Sequence, residues 1–205
     1  MKALFLNGSP HKDGVIALAF DEMEKILSEE GIDCTRVEIG SRSLPGCLDC
    51  KYCYSHEGCV RHDLVDEVNA LFRESDALIV GSPVYYASAN GTLVSFLDRL
   101  FYSGHFDKRM KVGASVVSCR RGGASATFDE LNKYFTISNM PIASSQYWNS
   151  IHGNTREEAK LDLEGLQTMR TLAKNIAFLV KAIHDRKEKE GLPDKEKALF
   201  TNFIR

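Results

Sequence analysis

No stretch of this chain is apolar for long enough to span a membrane, and the apolar run in MKALFLNGSP is too short for a signal peptide. Charge of neither sign dominates. The 26 Lys and Arg face 28 Asp and Glu, so no basic stripe points to nucleic acid and no acidic tract to disorder. Internal repeats and low-complexity segments are absent. These absences predict a soluble cytoplasmic protein that binds neither nucleic acid nor membrane. A length of 205 residues leaves room for one sizeable core and little for two. Walker A and G-x-G-x-x-G sequences are also missing, which argues against ATP or a dinucleotide held in the usual Rossmann mode.

What the chain does have is a dense cysteine run, with Cys47, Cys50, Cys53 and Cys59 in the pattern C-x2-C-x2-C-x5-C. In an intracellular chain clustered thiols stay reduced, and they more often bind metal or do redox work than form disulfides. The i,i+3 spacing turns three thiols toward one pocket, and Cys59 closes it after Ser55-His56-Glu57-Gly58. Spacing alone leaves three readings open: a [4Fe–4S] cluster, a zinc site, or a thiol cluster that holds no metal. Compactness favours the first, because zinc-binding Cys pairs usually come from two separated knuckles. His56 and His62 flank Cys59 and read as surface histidines, while Cys34 reads as an inert core thiol.

Strand-like and helix-like segments alternate along the chain. Lys2–Asn7 reads as a buried strand ending at Gly8-Ser9-Pro10, followed by a helix with Ile16, Phe20, Met23 and Leu27 at helical spacing. Ile32–Ile39 reads as the second strand and is followed by the Cys-rich loop, 46–62. A helix capped by Asp63 leads to a third strand, Ala77–Val80, stopped by Gly81-Ser82-Pro83. Then come a helix over Leu93–Phe101, a fourth strand over Lys111–Ser118 and a helix over Gly123–Tyr134. Pro141–Tyr147 is the expected fifth strand, and a long helix runs from about Thr155 to His184. The pattern predicts one α/β domain over residues 1–184, a flavodoxin-like three-layer sandwich whose five parallel strands lie in the order 2-1-3-4-5. Residues 185–205 form a charged tail ending in an apolar patch (Leu199, Phe200, Phe203, Ile204), expected to dock on a partner protomer.

In that strand order the ligand lies beyond the strand C-termini, at the loops after strands one, three and four, and the cysteine loop leaves strand two at the same edge. The first loop, Asn7–Val15, opens a helix whose free N–H groups and dipole suit a phosphate. The second, Gly81–Gly91, carries Tyr85 and Tyr86 to flank a planar ring, with one of the two expected to pack in the core or an interface. The third, Ser118-Cys119-Arg120-Arg121-Gly122-Gly123, pairs two cations with glycines that let the backbone approach an anionic ligand closely. Cys119 and Trp148 are expected chiefly to pack, with Trp148 also placed to wall a substrate pocket.

The ordered set of GSPxxxG near the N-terminus, GSPVYY after strand three, Phe96-Leu97-Asp98-Arg99, and RGG after strand four resembles the NADPH-dependent FMN reductase family. The cysteine run, the stretch from Gln146-Tyr147-Trp148-Asn149 to Gly153, and the ending Thr201–Arg205 resemble its iron–sulfur flavoprotein branch. The resemblance implies FMN with its phosphate at Ser9, His11, Lys12, Gly14, Val15 and Ile16. It implies the ring at Ser82, Pro83, Val84 and Tyr85, and the ring's far edge at Ser118, Cys119, Arg120, Arg121, Gly122 and Gly123. It further implies a [4Fe–4S] cluster on Cys47, Cys50, Cys53 and Cys59, a homodimer or dimer of dimers, and NAD(P)H as cosubstrate. The expected activity passes electrons from NAD(P)H or a reduced protein through FMN to a quinone, nitro or azo compound, or free flavin, or onward through the cluster. FMN N5 then carries the chemistry and Tyr85 is a candidate proton donor. Two rivals are a non-enzymatic electron carrier partnered with ferredoxin, and a flavin-binding thiol or zinc redox sensor. Relatives often place Asn-Thr where this chain has Val15-Ile16, so backbone donors are expected to carry more of the phosphate contact here.

Overall fold

The computed structural model describes residues 1–201. In chain order the elements are β1 (Lys2–Asn7), α1 (Val15–Glu29), β2 (Asp33–Glu38), α2 (Leu64–Glu74), β3 (Ala77–Tyr85), β4 (Ser88–Ala89), α3 (Gly91–Ser103), β5 (Val112–Cys119), α4 (Ala124–Ile137), β6 (Ser150–His152), α5 (Arg156–Ala159) and α6 (Leu163–Glu190). Side chains alternate across a strand, and here both sides are apolar. Ala3, Phe5, Ile79 and Ala114 enter one core, and Leu4, Leu6, Leu78 and Val80 enter the other. A sheet buried on both faces needs helices on both. α1 and α6 cover the first face, and α2, α3 and α4 cover the second.

The sheet order is β2-β1-β3-β5-β6, all parallel, with β4 pairing antiparallel to β3 off that path. This is the predicted flavodoxin-like architecture with one added strand. The addition is a hairpin. Tyr86 and Ala87 both take positive φ, 51° and 61°, the arrangement of a two-residue type I′ turn between Tyr85 and Ser88. Gly81-Ser82-Pro83 does not end β3 as expected, because pairing with β5 continues to Pro83 opposite Ser118.

Two other expectations shift. Pro141–Tyr147 is not a strand; it makes a single bridge, Ile142 to Gly113, and then departs through polar residues. Asn149 takes over there. Its side chain donates to the Ser115 carbonyl at 3.0 Å, its carbonyl accepts from Val117 N–H at 2.9 Å, and β6 starts one residue later. The long final helix divides in two. Thr155 caps α5 and Asp162 caps α6, accepting from Gly165 N–H at 2.9 Å, and α6 continues to Glu190, past the expected end. In the tail, Leu199 and Phe200 are exposed, while Phe203 and Ile204 lie outside the described residues.

Candidate functional site

The C-terminal ends of β1, β3 and β5 open into a cleft of about 1100 Å³. Its floor is fixed by close backbone approach. Gly8 N–H donates to the Gly81 carbonyl at 2.7 Å, and a Cβ on Gly81 would lie 2.5 Å from both Ile16 Cγ2 and Phe20 Cζ. Only glycine at 81 lets α1 settle onto the sheet here. Asn90, the cap of α3, ties the loops together. Its side-chain amide donates to the Gly8 carbonyl and its backbone N–H to Ser82 Oγ, both at 2.9 Å.

The loop after β1 turns on its own polar groups. Asn7 Oδ1 accepts from Ser9 N–H at 3.0 Å, and Ser9 Oγ accepts from His11 N–H at 3.1 Å. Gly14, the cap of α1, offers no side-chain hydrogen bond, and no acidic residue stands in the first turn. The first N–H groups of α1 are therefore left for an anion, and Gly14, Val15 and Ile16 line the cleft there.

Of the predicted residues, Ser9, His11, Gly14, Val15, Ile16, Pro83, Val84, Tyr85, Ser118, Cys119 and Arg120 line the cleft, and Lys12, Ser82, Arg121, Gly122 and Gly123 do not. Ser82 is fully buried and structural, donating to the Pro83 carbonyl at 2.8 Å while accepting from Asn90. Lys12 and Arg121 point to solvent, and Gly123 abuts the β3–β4 hairpin at Ala87. Neither Tyr85 nor Tyr86 packs in this chain's core, because the I′ turn throws Tyr86 outward. Trp148 is likewise exposed, with its ring 5.0 Å from that of Tyr147. Burial pushes the Cys119 thiol up, as it does Cys34, which rises to about 11.

One wall of the cleft was not anticipated. Gly153, Asn154, Thr155 and Arg156 line it from the segment after β6. The signal lay in Thr155-x-x-Glu158: Thr155 Oγ1 accepts from Glu158 N–H at 3.2 Å, and Glu158 returns to accept from Asn154 N–H at 2.8 Å.

The four run cysteines line a second, small cavity, together with Tyr52, Arg99 and Tyr102. Asp49 and Lys51 adopt left-handed backbone on either side of Cys50, folding the run back on itself. Gly58, at φ 81°, brings Cys59 N–H to Asp66 Oδ1 at 2.8 Å, where a Cβ would collide with the same carboxylate. Burial raises the Cys53 thiol, and the neighbouring Cys47, Cys50 and Cys59 add to the rise. Arg99 closes the cavity. It is 2% exposed and binds Asp63 with both arms of its fork, at 2.8 and 2.9 Å. Burial disfavours its charge, but the hydrogen bonds it donates to Asp63 and Cys59 outweigh that and raise its pKa overall. Among the described residues no three Cys, His, Asp or Glu side chains converge on a point that would hold a single ion. His56 stacks on Tyr52, with ring centroids 4.1 Å apart, and His62 lies 3.5 Å from Asp66. The loop does leave β2 at the cleft edge, but its thiols come to rest along α3, and the two cavities share no lining residue.

Fold and cleft together define a flavodoxin-like protein. A flavodoxin from the domain Archaea superposes with a TM-score of 0.59 at 18% identity, covering 88% of this chain and 99% of that one. The structure of RosB with bound 8-demethyl-8-formylriboflavin-5'-phosphate gives 0.69 at 14% identity, covering 100% and 92%. Residues 1–155 match the profile of the NADPH-dependent FMN reductases, and the chain belongs to that family. An iron–sulfur flavoprotein of Methanocaldococcus jannaschii is 31% identical over 192 residues, covering 89% of this chain and 99% of that protein. No helix among the described residues is long and apolar enough to cross a membrane.

Proposed function

We propose that this chain is a cytoplasmic FMN-dependent oxidoreductase, with FMN in the large cleft and a [4Fe–4S] cluster on Cys47, Cys50, Cys53 and Cys59. The observation that carries the reading is the uncapped N-terminus of α1 opening into a cleft of about 1100 Å³, at the edge where this fold takes its ligands. Pockets for drug-sized ligands run to roughly 300–1,000 Å³, so the cleft has room for FMN and a second small molecule. Bound FMN would accept a hydride at N5 and release electrons singly.

The chain's own residues divide the work. Val15 and Ile16 N–H groups, with Ser9, hold the phosphate. Pro83, Val84 and Tyr85 form the lip for the ring. The turn at Ser118–Arg120 supplies donors where negative charge builds up on the reduced ring, a preorganised electrostatic contribution. NAD(P)H or a reduced protein is the donor, and a quinone, nitro or azo compound, or free flavin is the small acceptor. For the cysteines, four thiols lining one cavity are the donor set a cubane takes, and their compact spacing is unlike the two separated knuckles of a zinc site.

Anaerobic isolation followed by FMN, iron and sulfide analysis tests both cofactors: one FMN and about four each of iron and sulfide per chain are expected. Iron without sulfide, or zinc, would remove the cluster. Steady-state oxidation of NADH or NADPH by the loaded protein then tests the enzyme. Rapid reduction by ferredoxin without nicotinamide turnover would favour the carrier instead, a reading supported by the position of the cysteine cavity on a separate, exposed wall. Exposed Tyr86, Tyr147 and Trp148, and the apolar end of the tail, support assembly into a homodimer or dimer of dimers. Truncation at Lys195 that leaves the oligomer mass unchanged would remove the tail's part in it.

A further inference from the structure

Arg99 is one of the largest fully buried side chains in the molecule. A buried guanidinium needs a partner, and Asp63 alone supplies one. Yet the fork also reaches a sulfur: Nε–H and Nη2–H donate to Cys59 Sγ at 3.4 and 3.2 Å, while Nη1 touches the Pro45 carbonyl at 3.4 Å. A neutral thiol is a weak acceptor. Two donors from a cation repay their alignment when the sulfur carries negative charge.

We propose that Arg99 sets the electron affinity of the cluster, through its two hydrogen bonds to the Cys59 sulfur, and that Asp63 opposes it by offsetting the guanidinium charge. The inference rests on the cluster reading above and deepens it. Uptake of one electron adds one negative charge to the cluster and its sulfurs, with no bond made or broken. Donors aimed at a ligand sulfur therefore favour the reduced form, and a carboxylate behind them works against it. Arg99 touches a ligand and not the metal, so it is a positioning and tuning residue. Cys59 is held independently by Asp66, which receives its backbone N–H.

The test uses the full-length protein, reconstituted anaerobically with iron and sulfide and titrated electrochemically while the reduced cluster is followed by electron paramagnetic resonance. Two variants separate tuning from packing. Arg99→Lys keeps the charge and loses the fork. Asp63→Asn keeps the cap of α2, since Asn caps as well as Asp, and removes the opposing charge. Arg99→Lys is expected to lower electron affinity about tenfold, a fall of ~59 mV for one electron, and Asp63→Asn to raise it. A lowered midpoint in Arg99→Lys together with a raised one in Asp63→Asn supports the proposal, and the reverse pair overturns it. Unchanged midpoints, or two shifts of the same sign, overturn it. Where Arg99→Lys fails to load iron, Asp63→Asn decides: a raised midpoint supports, an unchanged or lowered one refutes. A wild-type chain that takes up no sulfide overturns the cluster reading itself, a result distinct from a loaded cluster that ignores Arg99.

Discussion

Arg156 lies 3.0 Å from Asp13 and so joins the segment after β6 to the loop after β1, across the cleft that both residues line. The guanidinium also binds Asp21 on α1, so it is held at the α1 end of the cleft, where the phosphate of FMN is proposed to bind. Loss of this cation leaves the Asp13 carboxylate facing the anion unopposed. Arg156→Ala is therefore expected to weaken FMN binding by about tenfold, the size of one charge-assisted contact. Fluorescence titration of the flavin-free protein reads it. The deficit should shrink as salt rises from 50 to 500 mM, because the mouth of the cleft is open to screening ions. Equal affinity for variant and wild type would take Arg156 out of the site.

The floor of the same cleft admits no methyl group at position 81. An added Cβ would meet Ile16 and Phe20 at 2.5 Å, and both belong to the buried face of α1. Overpacking of this kind costs about 1–3 kcal/mol. Gly81→Ala should lower stability by that amount in urea and also weaken FMN, because the helix that moves is the one whose N-terminus opens the site. A destabilised variant with unaltered flavin affinity would separate packing from binding.

Much of this was legible from periodicity, and the failures have a common cause. β1, α1, β3 and β5 announce themselves because their apolar residues repeat with the period of the element, and the sheet order follows from their alternation. Arg156 is not legible in the sequence because four-residue α5 is too short to show a period, and because its partners Asp13 and Asp21 lie far away in sequence. The expected fifth strand falls too early because the edge of β5 at Ser115 is met by the Asn149 side chain before the β6 ladder begins, and no strand pattern encodes that contact. The cysteine spacing was informative about chemistry but not about position. Whether the run stays at the cleft edge or lies along α3 depends on Arg99 and Asp66 reaching it from other elements.

Lys108 offers a test of burial on the opposite side of the molecule. Its ammonium lies 4.4 Å from the centre of the Phe106 ring, and burial, aided by the charge of Lys111, lowers it from 10.5 to about 8. Between those values the unfolded chain binds more protons than the folded one, so stability rises with pH across that window. The cost of keeping the charge buried is fully present below pH 8. Lys108→Met keeps the stem without the charge. Its stability relative to wild type should be greater at pH 7 than at pH 10.5 by about 1–2 kcal/mol, allowing for partial solvent access. A difference that stays constant from pH 7 to 10.5 in urea titrations would contradict the assignment.

The six cysteines should separate cleanly by reactivity in metal-free protein. Cys47 and Cys50 are exposed, Cys53 and Cys59 are half-buried, and Cys119 is buried. Cys34 rises to about 11 through burial, so at pH 8 its thiolate fraction is roughly a hundredfold below that of a thiol titrating near 9. Brief iodoacetamide treatment read by peptide mass spectrometry should therefore label Cys47 and Cys50 first, Cys53 and Cys59 next, and Cys34 and Cys119 last. Reconstitution with iron and sulfide should then protect the four run cysteines together and leave the slow rates of Cys34 and Cys119 unchanged. Protection of only two of the four would mean that the run does not act as one ligand set. Labelling of Cys34 as fast as Cys47 would mean that β2 is open to solvent at its edge, contrary to its packing against the core formed with α1.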